Sequence, residues 1–334
     1  MHLFSKITIC FSGSFSTSMR ANFRSVYTIP LVTDNNYDDG IPEELLVHEI
    51  QADQYKRDNV LAAIGNAIYT VDGNYKKKLI AGFPDAGYAE GNGPEARFNR
   101  TAGFTQLPGG RVLISDQGNQ CIRQLHRMTT IITTYAGICS STPRYYQGSN
   151  YSNWQTFNKP TQIQFDSSSS KIFVLDEIVY GETFAILSKD LYTGNISEHR
   201  ISTRGDQITD FIYDHSSSAF VIAGLNGVTK RTLSYEVLST INVSDPYGLA
   251  LYDGMIIITR INSGEVMFVD ERQDGSNFTI CGSSSHLDGF PKCTLSKPAA
   301  VAVIDSFLCI GSTIPSFYDT KAQLIQIFFW TDPG

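Results

Sequence analysis

Short apolar runs rich in Val, Ile, Tyr and Phe recur along the chain, separated by Gly, Asp, Asn and Pro. This is the pattern of strands joined by tight turns. Runs at 60–64, 112–115, 172–175, 220–223, 256–259 and 307–310 occupy equivalent places. The interval from Val60 to Phe307, divided over five steps, gives a mean period of about 49 residues, the size of a blade-like repeat unit. Long helices are not expected, because no window sustains a 3.6-residue period and the chain carries 27 Gly and 12 Pro.

Within a period the pattern resolves into four strands. In the fifth copy they fall at 247–252, 255–260, 265–270 and 277–282, and in the first at 44–51, 59–64, 67–72 and 77–82. The last copy supplies only 298–303, 307–311 and 323–329, while an orphan strand at 26–33 precedes the first copy. A sheet with an open edge invites aggregation, so pairing the orphan with the last copy is the expected solution. The prediction is an all-β, six-bladed β-propeller of four-stranded antiparallel blades, its ring closed by the N-terminal strand. Residues 1–24 then form a leader and 25–334 the propeller.

The segment 79–137 carries the motifs AGYAEGNGPEARFN (86–99) and ISDQGNQCIRQL (114–125). In these it resembles the NHL-repeat β-propeller family. The full Asp-x-Gly-Asn turn occurs only in the second copy, at Asp116, Gly118 and Asn119. The third copy keeps Asp176 without the Asn, and the fourth has Gly224, Asn226 and Gly227 instead. Asp116 and Asn119 are expected to close the turn between second and third strands, with Arg123 pairing with Asp116. Arg97 and Phe98 are expected to lock the preceding loop onto the next blade.

Composition narrows the function classes. A net charge of −7 with scattered basic residues argues against a nucleic-acid surface. No apolar run reaches the length of a transmembrane helix. The N-terminal MHLFSKITICFSGSF, followed by small residues, has the layout of a weak secretory signal. In the strand assignment, Cys121 opens a third strand and Cys139 follows the fourth of the same blade, so both lie on one rim and pair. Cys281 and Cys293 bracket one loop on that rim and form the second expected pair. Cys309 reads as a buried free thiol, and Cys10 belongs to the leader. Asn99, Asn150, Asn195, Asn242 and Asn277 each begin an N-glycosylation triplet. Together these point to an extracellular protein, the alternative being a cytoplasmic one with reduced cysteines.

No catalytic constellation, metal-binding cluster or cofactor motif emerges from the spacing. Enzymes of this architecture work at the channel mouth, where first strands begin. Those positions are 101–103, 161–162, 209–210, 247–248 and 299–300, and Asp210 is the one acidic residue among them. The peptidyl-amidoglycolate lyases, similar in repeat class, present metal-binding His in Pro-His-Gly-Leu contexts. The matching segment here, Asp245-Pro246-Tyr247-Gly248-Leu249, has Tyr in the His position. His48, His126, His199, His215 and His286 share no rim in this reading. The expected function is therefore binding of a protein or glycan partner through the face carrying the long loops 83–100, 138–159 and 283–297. Arg144, Tyr145, Tyr146 and Trp154 are the candidate anchors. The alternative is a metal-dependent hydrolase or lyase acting at the channel mouth.

Overall fold

The computed structural model describes residues 22–30, 32–33, 47–56, 59–72, 76–139, 154–179, 183–202, 207–225, 227–271, 276–280, 295, 297–304, 307–313 and 323–331. Five antiparallel blades are each built from four consecutive strands. Blade one comprises Val47–Ala52, Val60–Ile64, Ala67–Val71 and Lys76–Gly82, and blade two Thr101–Leu107, Arg111–Asp116, Cys121–His126 and Ile131–Ala136. Blade three is Pro160–Asp166, Lys171–Val179, Thr183–Asp190 and Ile196–Ser202, and blade four Ile208–Asp214, Ala219–Gly224, Gly227–Thr232 and Val237–Ile241. Blade five is Pro246–Tyr252, Met255–Arg260, Glu265–Asp270 and Ser276–Ile280.

A further sheet joins the two ends of the chain. Ala300–Ile304, Phe307–Thr313 and Gln323–Thr331 supply three strands, and Asn22–Pro30 adds the fourth, antiparallel, with Val26 opposite Phe328. The predicted orphan strand is thus divided. Its continuation, Val32–Thr33, leaves that sheet and pairs in parallel with Lys76 and Lys77 at the edge of blade one.

Each second strand is apolar along nearly its whole length because both of its faces are buried. In blade one, Leu61 and Ala63 pack with Phe104, Val112 and Ile114 of blade two. The alternate residues Val60, Ala62 and Ile64 pack with Ala300, Ile304 and Cys309 of the end sheet. The same two-residue alternation repeats around the molecule, so six apolar layers lie between neighbouring sheets. The first strands touch in a closed cycle, with Ala300–Ile304 packing against Val47–Ala52. The molecule is an all-β propeller of four-stranded antiparallel blades around a central channel.

The loops into the first strands are pinned by the residues the repeat singles out. Asp116, fully buried, accepts hydrogen bonds from the Asn99 backbone N–H at 2.8 Å and from Asn119 Nδ2 at 3.0 and 2.9 Å, and pairs with Arg123 at 3.1 Å. Asp176 does the same one blade later, accepting from the Asn158 N–H at 2.9 Å and the Lys159 N–H at 2.6 Å. Phe98 and Phe157 precede these two Asn residues and are both buried. The 83–100 segment carries structure of its own. Gly91–Asn92 adds an edge strand to blade two, and Arg97 Nη1 donates to the carbonyls of Pro94, Glu95 and Ala96.

Cys121 and Cys139 form a disulfide with a Cα separation of 5.1 Å, and Cys309 is a buried free cysteine. Gly137, two residues before Cys139, has φ +88°, and a Cβ there would stand 2.9 Å from Phe157 and 3.1 Å from Cys121. Only glycine lets the chain turn there and bring Cys139 back to Cys121. Cys281 and Cys293 lie outside the described residues.

Candidate functional site at the channel mouth

Five of the first strands opening on the channel carry a register shift after their first residue. The shifts fall at Val47/Glu49, Thr101/Gly103, Pro160/Ile163 and Ile208/Asp210, and blade five repeats the pattern at Pro246/Leu249. A bulge rotates the inserted side chain out of the pleat. Here it turns His48, Ala102, Thr161, Thr209 and Tyr247 into one cavity of about 280 Å³, completed by Ala299. This is the end at which first strands begin, so the cavity opens on the face that carries the loops joining consecutive blades.

Charge enters the cavity from the residues that lead into two first strands. Arg100 and Lys159 occupy equivalent positions, each directly after the pinned Asn. Lys159 is paired with Glu177. Arg100 is exposed and makes no ion pair among the described residues. Its backbone is held at φ 64°, with its N–H donating to Asn66 Oδ1 at 2.6 Å and its carbonyl accepting from the Gln117 N–H at 3.1 Å. A rigid backbone thus presents over the mouth a guanidinium with no ion pair among the described residues. Burial, reinforced by Arg100, lowers the His48 pKa to about 4, so the imidazole is neutral at neutral pH. Burial raises the Tyr247 hydroxyl pKa, and Tyr247 stays a neutral donor.

Below the cavity, the channel is bridged by side chains one position further along the first strands. Gln162 Nε2 donates to Glu49 Oε2 at 2.7 Å and to Asp210 Oδ1 at 3.0 Å. Asp210 also accepts from the backbone N–H groups of Phe211 and Leu249, each at 2.8 Å. Room for this bridge comes from Gly103, where a Cβ would meet Gln162 Oε1 at 2.1 Å. Burial, with Asp210 nearby, pushes the Glu49 pKa up to about 8, and burial pushes that of Asp210 up to about 7.

The mouth positions expected at 101–103, 161–162, 209–210, 247–248 and 299–300 converge as predicted from the spacing. One expectation needs correction. Asp210 is not the only carboxylate at a first-strand opening, because Glu49 faces it across Gln162. The bulge in blade one turns His48 into the cavity, where it is the one histidine among the described residues. No group of three or more His, Cys, Asp or Glu placed to hold a metal ion occurs among the described residues.

Of the predicted anchors, Arg144, Tyr145 and Tyr146 lie outside the described residues. Trp154 is no surface anchor. It is 2% exposed, stacked edge-on against Phe157 at 5.8 Å, and packed with Leu107, Ile163 and Ile172 between blades two and three. Its φ of 52° turns the chain inward at that point. Asn195, Asn242 and Asn277 are exposed, Asn99 is half-buried, and Asn150 lies outside the described residues.

No protein-family model matches the chain, and no curated protein matches it. Solved structures do. A streptogramin B lyase aligns over 92% of this chain and 98% of its own, with 11% identity and a TM-score of 0.57. An auxiliary nutrient binding protein from Bacteroides thetaiotaomicron aligns over 92% and 77%, with 8% identity and a TM-score of 0.58. A chain of a nidogen/laminin complex aligns over 70% and 79%, with 11% identity and a TM-score of 0.50. No helix among the described residues is long and apolar enough to cross a membrane. At these identities the likeness is one of fold, and that fold is the β-propeller.

Proposed function

We propose that the protein is an extracellular, non-enzymatic binding module, a six-bladed propeller of the NHL type, whose protein or glycan partner docks on the face carrying the long loops. The observation that carries this reading is Arg100. It is an exposed, backbone-fixed guanidinium with no ion pair among the described residues, set over a cavity whose other polar groups are neutral or paired. An unmatched Arg beside neutral donors such as His48 and Tyr247 suits a carboxylate, which a guanidinium grips in two-point fashion. The partner therefore places an acidic group, from a uronate sugar or an acidic side chain, at the channel mouth. The disulfide between Cys121 and Cys139 supports an oxidising compartment.

The experiment is a screen of the purified protein against arrays of glycans and peptides, run in parallel with Arg100→Gln. Hits should carry carboxylates, and the variant should bind them at least about tenfold more weakly, the loss of one charge-assisted contact. Uncharged hits that bind both proteins equally would refute the reading. A second reading, lyase or hydrolase chemistry at the same mouth, is favoured by the titratable groups His48, Glu49, Asp210 and Tyr247 gathered there. Stoichiometric metal in the purified protein would move the assignment toward it.

A further inference from the structure

The outer edges of the blades are not treated alike. Blade one ends on Lys76–Gly82, covered in part by Val32–Thr33, and blade two on Ile131–Ala136, covered in part by Gly91–Asn92. Blades three, four and five end on Ile196–Ser202, Val237–Ile241 and Ser276–Ile280, and no described strand pairs with their outer sides; the same holds for Asn22–Pro30 of the end sheet, which carries no glycosylation triplet. A bare edge presents unpaired backbone N–H and C=O groups to any other chain. Apolar side chains aggravate this here. Tyr192 is 87% exposed beside the blade three edge, and Val237 and Leu238 are 52% and 55% exposed on the blade four edge, which carries no charged residue.

Each of the bare edges of blades three, four and five carries one glycosylation triplet, and each acceptor is exposed. Asn195-Ile196-Ser197 opens the outer strand of blade three, Asn242-Val243-Ser244 follows that of blade four, and Asn277-Phe278-Thr279 lies within that of blade five. The triplet at Asn99 is differently placed. Its side chain lies against Gly118, where a Cβ would stand 2.3 Å from Asn99 Cγ, and its N–H is held by Asp116. An oligosaccharide on Asn99 would have to displace the turn that pins the loop into blade two.

We propose that Asn195, Asn242 and Asn277 are N-glycosylated and Asn99 is not, and that the glycans shield the bare edges of blades three, four and five. In the transfer, the Asn carboxamide nitrogen bonds to the anomeric carbon of a lipid-linked oligosaccharide. The lipid pyrophosphate leaves and the nitrogen gives up one proton. Bulky, hydrated sugar at an edge blocks strand addition as charged residues do elsewhere. The proposal rests on the extracellular reading and is independent of ligand binding at Arg100, so the two fail separately.

The test is to express the full chain in secreting eukaryotic cells and release glycans enzymatically in heavy-oxygen water, which marks each former site as labelled Asp. Peptide mass spectrometry should show the label at 195, 242 and 277 and not at 99. In sedimentation, Asn242→Gln should self-associate more than the parent at equal concentration with an unchanged melting temperature, and Asn99→Gln should not. Unmodified peptides at the three positions, a label at 99, or an Asn242→Gln protein that remains as monodisperse as the parent would overturn the proposal.

Discussion

Replacing Glu49 by Gln should flatten the pH dependence of stability across the neutral range. In the folded chain the Glu49 carboxyl is raised from 4.5 to about 8, because it lies deep in the channel near Asp210. Between those values the folded state keeps a proton that the unfolded state releases. The contribution is therefore fully present below the unfolded value and is lost as pH rises through the folded one, with a slope of about 1.4 kcal/mol per pH unit. Over pH 5.5–7.5 that slope gives a fall of up to about 3 kcal/mol, which channel water screens to about 2 kcal/mol. Gln at position 49 cannot ionise, yet still offers an oxygen to Gln162 Nε2. Urea unfolding followed by tryptophan fluorescence, with Trp154 as a buried reporter, measures both proteins at the two pH values. The stability difference between variant and parent should widen in favour of the variant by about 2 kcal/mol from pH 5.5 to 7.5. Parallel pH profiles would show that Glu49 is ordinarily ionised in the folded chain and would refute its raised pKa.

Other outcomes follow from the packing. Cys121→Ser with Cys139→Ser should cost about 3 kcal/mol in urea unfolding, the chain-entropy value for a loop of this length. Gly103→Ala places a methyl against Gln162 Oε1 and should displace that side chain, lowering stability by about 1–3 kcal/mol. A crystal structure of that variant should show the Glu49–Gln162–Asp210 bridge broken.

The strands that the sequence displayed most clearly are those buried on both faces. Met255–Arg260 and Glu265–Asp270 stand where the apolar pattern placed them, because a strand between two apolar layers leaves an unbroken hydrophobic run. The expected pairing of Cys121 with Cys139 followed from that same strand assignment. His48 and Glu49 were missed because blade one lacks the motif that marks blade two, and because a bulge reverses which residues of the strand face the channel. Alternation by itself cannot show an inserted residue; the polar residue at the third place of three first strands, Glu49, Gln162 and Asp210, was the available signal. Trp154 was misread for a different reason. An aromatic in a long polar loop looks like a binding residue, but the left-handed turn at Trp154 folds it back onto Phe157 as core. The division of the N-terminal strand at residue 31 depends on an edge contact with blade one, which local sequence does not encode.

The central claim is that this propeller binds an acidic partner group over its channel mouth, and the most direct measurement is a crystal structure with a carboxylate-bearing ligand from the array screen. The account predicts that the carboxylate lies within hydrogen-bonding distance of the Arg100 guanidinium, above His48 and Tyr247. A ligand seated on the outer blade edges or at the opposite end of the channel, with Arg100 free, would contradict it.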